Sequence, residues 1–107
     1  MPPYLGEFEQ LVLLALARLG DRAYGIAIRD ELAAHTDRDV SVAAVYKTLW
    51  RLEEKGLVLS RVGEPTAVRG GRAKRVYRVS AAGRDALRAS LATLRSLARG
   101  VDGLVIV

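Results

Sequence analysis

The chain has 107 residues, half of them apolar, which is enough for one domain with a hydrophobic core and too little for two. It contains no cysteine, which excludes disulfides, thiolate metal sites and thiol nucleophiles, and its formal net charge is +5. The N-terminal stretch lacks the basic start of a signal peptide and the longest apolar run is too short to cross a bilayer, so we expect a cytoplasmic protein without membrane contact.

Positive charge is concentrated in one part of the sequence. Residues 1–60 contain seven Lys or Arg and nine Asp or Glu, a net charge of −2, whereas residues 61–99 contain ten and two, a net charge of +8. Most of these basic residues are arginine, whose planar guanidinium suits phosphate, so the pattern favours a nucleic-acid partner. A hydrated, solubilising surface is the alternative explanation.

The first predicted helix is apolar around much of its circumference. It runs from Tyr4 to Leu19, and its apolar positions recur at helical spacing but extend beyond one face. One explanation is that the helix is buried twice, once by its own domain and once by a second chain. The residues assigned to contact with that second chain are Leu5, Phe8 and Leu11.

The second predicted helix runs from Tyr24 to Thr36 and is followed by a short polar connector, residues 37–40. Gly25 near its start predicts the close approach of a neighbouring backbone. His35 is the only histidine in a chain without cysteine, so no metal site is expected. A helix, a short connector and a second capped helix together predict a helix-turn-helix.

The third predicted helix, residues 41–55, has clear start and stop signals. Ser41 is a good N-cap, and Gly56 can adopt the left-handed conformation that ends a helix. Its buried stripe is predicted to consist of Val42, Val45, Leu49 and Leu52. The opposite face suits a major groove, because small side chains allow close approach and donors follow one turn later. The residues predicted to contact DNA from this helix are Ser41, Ala43, Ala44, Tyr46, Lys47, Thr48 and Arg51.

A β-hairpin is predicted directly after this helix, over residues 57–79. The apolar period changes to alternation at residues 57–62, a Gly-rich loop follows at 63–71, and a second strand occupies 72–79. Such a hairpin would form a wing, whose natural target is phosphate or the minor groove. The wing residues predicted to contact DNA are Arg69, Arg72, Lys74 and Arg75.

The last predicted helix begins at the N-cap Ser80 and runs to about Arg99. Its apolar seam repeats at spacings of four, three and four residues, which is typical of a coiled coil. The seam must pack on its own domain or on another chain, and we favour another chain, together with the first helix. The seam consists of Leu87, Leu91, Leu94 and Ala98. The tail, residues 101–107, is too apolar for a free end.

The order of these elements and several short motifs resemble the PadR family of winged-helix transcriptional regulators. The resemblance rests on Leu14–Leu19, Tyr24-Gly25, Ser41 with Val45-Tyr46 and Leu49, the run LEEKGL at residues 52–57, and GRAKRVYRVS at residues 71–80 followed by Gly83. The chain departs from the family at Ala73, where Pro is frequent, and at Val76, where an aromatic is frequent. Both departures concern the stiffness of the wing.

The resemblance implies a dimeric, repressor-like DNA-binding protein that dimerises through its first and last helices. It implies a contact between Tyr46 and the DNA backbone, although a role in pinning one helix to another is equally open. Some family members stack ligands on a tryptophan of the terminal helix, but Trp50 lies on the recognition helix. We therefore expect Trp50 to pack against the wing or another helix, with its N–H at the surface. The resemblance also suggests a small-molecule effector, whose identity nothing in the sequence selects.

The predicted fold class is mainly α with a small two-stranded β wing, a winged helix-turn-helix with N- and C-terminal dimerisation helices. Residues 1–79 are predicted to form the DNA-binding domain, and residues 80–107 the C-terminal dimerisation helix and apolar tail. The predicted function is binding of double-stranded DNA at a palindromic operator by a homodimeric regulator, with repression as the expected outcome. A winged-helix module that binds another protein and no DNA is the alternative. No catalytic grouping and no cofactor are expected.

Overall fold

The computed structural model of the chain describes residues 4–63 and 74–104. In these ranges the elements follow the order α1 (Glu7–Leu19), a 3-10 turn (Gly20–Arg22), α2 (Gly25–His35), α3 (Val42–Glu54), β1 (Val58–Val62), β2 (Arg75–Val79) and α4 (Ala81–Ala98). The two strands pair antiparallel, with Val58 opposite Val79 and Val62 opposite Arg75. The predicted fold class, a mainly helical chain with a two-stranded wing, is confirmed.

Helix α1 begins three residues later than predicted. Gly6 is its N-cap and has an extended backbone, and the Gly6 backbone N–H donates to Glu9 Oε1 at 2.9 Å. The carboxylate of Glu9 therefore satisfies a free donor at the helix start, which fixes the first turn at Glu7 instead of Tyr4.

Both predicted ends of α3 are confirmed. The Ser41 hydroxyl accepts a hydrogen bond from the Ala44 backbone N–H at 3.1 Å. At the other end Gly56 has a φ of 74°, and the backbone N–H groups of Gly56 and Leu57 donate to the carbonyls of Glu53 and Leu52, both at 2.9 Å. This pair of bonds is a Schellman motif, which requires the left-handed conformation that glycine adopts without strain.

One continuous core joins α1, α2, α3, the sheet and the first half of α4. Three apolar side chains of α3 belong to the same core as those of α1, and the opposite face of α3 remains uncovered in the described residues. The principal core residues are Val12, Leu13, Leu16, Ile28, Leu32, Val45, Leu49, Leu52, Leu57, Val58, Tyr77, Ala86 and Leu87. The α1 residues Val12 and Leu13 have no exposed surface, so their burial is complete within one chain.

Hydrogen bonds of Ser80, which follows the hairpin, hold the start of α4 against the end of α3. The Ser80 hydroxyl donates to the Gly56 carbonyl at 2.7 Å and accepts from the Gly83 backbone N–H at 3.0 Å, so the predicted N-cap of α4 is confirmed. A methyl group at Gly83 would collide with the carbonyl oxygen of Leu57. The first turn of α4 therefore packs directly against the backbone that leaves α3.

The seam predicted on α4 is divided between two environments. Leu87 is 8% exposed and lies in the core of its own chain, so it has almost no surface left to bury against a partner. Its assignment to dimerisation was wrong, because α4 crosses α1 before its leucines leave the domain. Leu91 is partly buried, whereas Leu94 is 47% exposed and Leu97, which was not predicted, is 74% exposed.

Candidate nucleic-acid interface

Helix α3 has one face that the rest of the described structure does not cover. Its buried side chains are Val45, Thr48, Leu49 and Leu52. The exposed side chains of α3 are Ala43, Tyr46, Lys47, Trp50, Arg51 and Glu54, and Ala44 is partly buried. The helix has 13 residues and is therefore about 20 Å long, enough to cross a major groove about 12 Å wide.

Thr48 does not lie on this face. It is 2% exposed, and its hydroxyl accepts a hydrogen bond from Arg51 Nη2 at 3.3 Å. Thr48 follows Val45 by three residues and precedes Leu52 by four, which is the spacing of a shared helical face. The prediction that Thr48 contacts DNA was wrong, because this spacing places its side chain in the buried stripe.

The N-terminal end of α3 bears the smallest side chains. Ala43 is exposed, and Ser41 is exposed with its hydroxyl engaged as the helix cap. Lys47 lies one turn beyond Ala43 on the same face, and it forms no ion pair among the described residues. An ammonium group one turn behind a slim helix end can extend towards base edges or phosphates.

Tyr46 lies against the start of α2. A methyl group at Gly25 would collide with the Tyr46 ring, so the close neighbour of Gly25 is a side chain and not the backbone that was predicted. The ring is nevertheless 45% exposed. Tyr46 therefore pins α3 to α2 and also presents part of its ring at the edge of the uncovered face.

Strands β1 and β2 are joined to α3 by two side-chain hydrogen bonds in series. Ser60 Oγ donates to Glu53 Oε2 at 2.8 Å, and Arg75 Nη1 donates to Ser60 Oγ at 3.1 Å. Burial raises the pKa of Tyr77 in the same region, the charges of Tyr46 and Glu53 raise it further, and Arg75 opposes them. The Tyr77 side chain is therefore uncharged, and it belongs to the hydrophobic core.

Two of the four predicted wing cations lie among the described residues. The Lys74 ammonium is 5.1 Å from the centroid of the Tyr24 ring, a cation–π distance beside the N-terminus of α2. Arg75 is exposed, and its guanidinium keeps free donors after the bond to Ser60. Arg69 and Arg72 fall outside the described residues.

The C-terminal end of α3 is anchored to α1 by an ion pair that was not predicted. Lys55 Nζ lies 2.8 Å from Glu9 Oε2, and the Glu9 side chain is 10% exposed. Burial acts to raise the pKa of Glu9, but hydrogen bonds from Lys55 and the Gly6 N–H, together with the charges of Lys55 and Arg51, outweigh it and lower that pKa. Val12 and Leu13, three and four residues after Glu9, are fully buried, and this helical spacing was the signal that the acid is buried.

The basic residues of the second half of the chain do not form one surface. Arg61, Arg78 and Arg84 line a cleft of about 450 Å³ between the sheet and the C-terminal end of α1. Leu59 and Arg78 are register partners, and the alternation along the strands puts them on the sheet face opposite Ser60 and Tyr77. Of the described basic residues of the wing, only Lys74 and Arg75 therefore lie beside α3 and α2.

Neither a metal cluster nor a membrane helix is found in the part of the chain that the structure describes. Residues 4–63 and 74–104 contain no group of three His, Cys, Asp or Glu side chains that could hold a metal ion. No helix within the same ranges is long and apolar enough to cross a membrane.

A helix-turn-helix with an uncovered second helix and a basic hairpin beside it is the architecture of a winged DNA-binding domain. The model of the transcriptional regulator PadR-like family matches residues 12–89. The chain belongs to the PadR-like family of transcriptional regulators. It is a DNA-binding regulator and not an enzyme, as its similarity to the family had suggested.

Individual relatives of this PadR-like chain match most of its length. The transcriptional regulator Rv3488 of Mycobacterium tuberculosis is 42% identical over 83 residues, which are 78% of this chain and 73% of that protein. A PadR family regulator from Eggerthella lenta has 30% identity and a TM-score of 0.68, over 89% of this chain and 82% of that one. A PadR family regulator from Clostridium difficile has 25% identity and a TM-score of 0.71, over 86% and 91%.

Proposed function

We propose that this PadR-like regulator binds a palindromic operator in double-stranded DNA as a homodimer and represses transcription there. The observation that carries the proposal is the uncovered face of α3, with Ala43 at its slim end, Lys47 one turn later and Arg51 at its edge. In this proposal α3 enters the major groove, and its side chains distinguish base edges. The regulator acts where the chromosome is, so a cytoplasmic location is part of the proposal.

The wing is assigned a positioning role. Lys74 lies beside the N-terminus of α2, and Arg75 is exposed on the strand that is linked to α3 through Ser60. Exposed cations and a helix N-terminus both favour phosphate. Phosphate contacts fix the orientation of a protein on the duplex and supply affinity without sequence information. Arg69 and Arg72, from the predicted tip, are assigned the same role on the sequence alone.

The dimer is assigned to the far half of α4 together with α1. Leu94 and Leu97 are exposed on α4, and Val101 and Leu104 beyond it are 48% and 58% exposed. Leu5 just before α1, and Phe8 and Leu11 within it, pack only partly against the core, and Leu91 and Ala98 are also partly buried. Apolar side chains left bare along one helix favour a protein partner, and a two-fold axis lets one surface cover its copy.

We assign residues 1–79 to DNA binding and residues 80–107 to dimerisation, except that Leu87 belongs to the core of the DNA-binding domain. Two copies related by a two-fold axis would place their α3 helices in successive major grooves, about 34–36 Å apart. A single helix covers too few base pairs to select one site in a genome, so the dimer is needed for specificity. Release by a small-molecule effector is the part of the proposal that rests on the family resemblance alone.

The salt dependence of DNA binding tests the proposal against the protein-binding alternative. Labelled random and palindromic duplexes are titrated with the protein at low and moderate salt, with fluorescence anisotropy as the measurement. A dimer that makes six to ten phosphate contacts is expected to lose about a thousandfold or more in affinity between roughly 50 and 200 mM salt. No binding to either duplex at low salt, or an affinity that does not change with salt, would favour the protein-binding module.

A further inference from the structure

Trp50 is exposed at the centre of the uncovered face of α3. It is the only tryptophan of the chain, and 61% of its surface is exposed. The sequence predicted that it packs against the wing or another helix; none of the described helices and strands covers it, and wing residues 64–73 lie outside the described residues. An indole that remains bare on a protein surface favours contact with another molecule, because burial of its large apolar surface releases water.

The position of Trp50 on the helix places it on the proposed recognition surface. Residues 43, 47, 50 and 54 follow one another at spacings of four, three and four, so Ala43, Lys47, Trp50 and Glu54 form one row. Trp50 lies about 10 Å along the helix axis beyond Ala43, since seven residues rise by about 1.5 Å each. A helix that enters the groove at Ala43 therefore presents Trp50 within the groove's width of about 12 Å.

The chemistry of an indole selects one feature of the major groove. An indole face has no charge to pair with phosphate, and Glu54, the next residue of the row, opposes close approach to the DNA backbone at that end. The C5-methyl group of thymine is the apolar group that base pairs present in the major groove. Contact between the two would bury apolar surface from both partners.

We propose that Trp50 packs on the C5-methyl group of a thymine in each half-site and is a specificity-determining residue for that base. This inference rests on the proposed function, because it assumes that α3 lies in the major groove. It adds a base preference that Lys47 and Arg51 do not supply, since their donors favour guanine edges or phosphates.

The fluorescence of Trp50 provides the first test. Because the chain has one tryptophan, selectively excited indole emission comes from this position alone. We expect the emission to change on addition of the palindromic duplex that the wild-type protein enriches from a randomised library. Anisotropy of the same labelled duplex reports binding independently. Saturated binding without any change in Trp50 emission would overturn the inference.

The second test removes the methyl group from the DNA and the indole from the protein. In the enriched duplex, thymines are replaced one symmetric pair at a time by deoxyuridine, which keeps the base pair and loses only the methyl. At one symmetric pair of thymines we expect the wild-type affinity to fall, because one buried methyl group is lost in each half-site. The expected loss is about fourfold per half-site, and roughly tenfold or more for the two half-sites together. The same replacement should leave the affinity of Trp50→Ala unchanged.

Matched variants separate this contact from general effects of a lost side chain. Leu59→Ala also removes an exposed apolar side chain, 44% exposed, but from the sheet face away from α3. It should retain the full response to deoxyuridine, and Trp50→Phe should retain part of it. Equal responses of wild-type protein and Trp50→Ala at every thymine pair, or an enriched duplex without thymine, would overturn the inference.

The outcomes also distinguish this inference from the proposed function. If the wild-type protein binds the enriched duplex tightly and the Trp50 tests fail, only the thymine contact is wrong. If no duplex is bound at low salt, the proposed function itself has failed.

Discussion

Helices α3 and α4 have similar apolar patterns, but they differ in how far their own domain buries those patterns. From Val45 onward the stripe of α3 is covered by its own domain, with Val45, Leu49 and Leu52 at most 1% exposed, whereas Val42 at its start is partly buried. On α4 the same domain covers Leu87 but not the far half of the helix, where Leu97 is 74% exposed. A helical repeat of apolar residues thus predicts that a face is buried, but it does not tell which chain buries it.

The uncovered surfaces of α3 and α4 also differ in the chemistry of their side chains. The bare face of α3 combines small, basic and aromatic side chains, and its lysine and arginine keep their charged groups in water. The bare stripe of α4 is leucine, which gains most by contact with other apolar groups. We therefore assign α3 to contact with DNA and the far half of α4 to contact with a second copy.

The largest expected effect follows from changing the bare stripe of α4. The double variant Leu94→Glu with Leu97→Glu should abolish the dimer, because it removes four leucines from a two-fold interface and introduces four charges. At the lower end of about 1.5 kcal/mol per leucine, the loss is on the order of 6 kcal/mol, or roughly four orders of magnitude in dimerisation. Analytical ultracentrifugation measures the change, and affinity for the palindrome should fall with it.

The same variant should still fold, because Leu94 and Leu97 contribute little to the core of a single chain. Far-UV circular dichroism and the thermal unfolding of the dilute protein check this point. Unfolding of the double variant without any change in association state would mean that α4 stabilises its own domain, and the contrast between the two helices would be lost.

A core substitution in α3 should give the opposite result. Leu49→Ala leaves a cavity at a side chain that is 1% exposed, so the free energy of unfolding should fall by about 2–5 kcal/mol. Denaturant titration measures it, and Lys47→Ala is the matched control on the exposed face, with an expected change within about 0.5 kcal/mol. A mild effect of Leu49→Ala would contradict the complete burial of the α3 stripe from Val45 onward.

Substitutions on the exposed side of α3 and on the wing should separate recognition from positioning. Lys47→Ala should reduce discrimination between the palindrome and random duplex by about 1–3 kcal/mol, because a base contact is lost. Lys74→Ala with Arg75→Ala should weaken binding to both duplexes alike and reduce the salt slope. If the wing variant changed discrimination and Lys47→Ala did not, the two roles would be reversed.

The smallest expected effect concerns the anchor between α3 and α1. The pKa of Glu9 lies below its ordinary value of 4.5 in the folded chain, so the ion pair with Lys55 stabilises the fold above that pH. This contribution is lost as the pH falls through the lowered pKa, because the unfolded chain then binds the proton first.

Glu9→Gln should therefore be less stable than the wild type at neutral pH, by on the order of 1 kcal/mol or less, and the difference should disappear in acid. Denaturant titrations at neutral and acidic pH measure the two values. A difference that grows as the pH falls would contradict the assigned sign.

The sequence predicted the elements and their boundaries well where local signals are strong. Ser41, Gly56 and Ser80 are cap residues with the geometry that their types predict. Predictions from the sequence were less accurate for side chains at the edge of a buried helical stripe. Thr48 was assigned to the exposed face although its spacing from Val45 and Leu52 puts it in the core.

Other features could not be predicted, because they depend on how elements cross in space. Glu9 and Lys55 are 46 residues apart in sequence and meet only because α1 crosses the end of α3. Leu87 is covered because α4 begins against α1 and the sheet, and Leu97 is bare because α4 extends past them. The exposure of Trp50 likewise follows from the absence of a covering element among the described residues, which no local pattern reports.

The association state of the wild-type chain tests the central claim most directly. Sedimentation equilibrium at micromolar concentration, without DNA, compares the mass in solution with the 11.6 kDa of one chain. The assignment of the far half of α4 to a second copy predicts twice that mass. A chain that sediments as a monomer and still binds a palindrome tightly would contradict it.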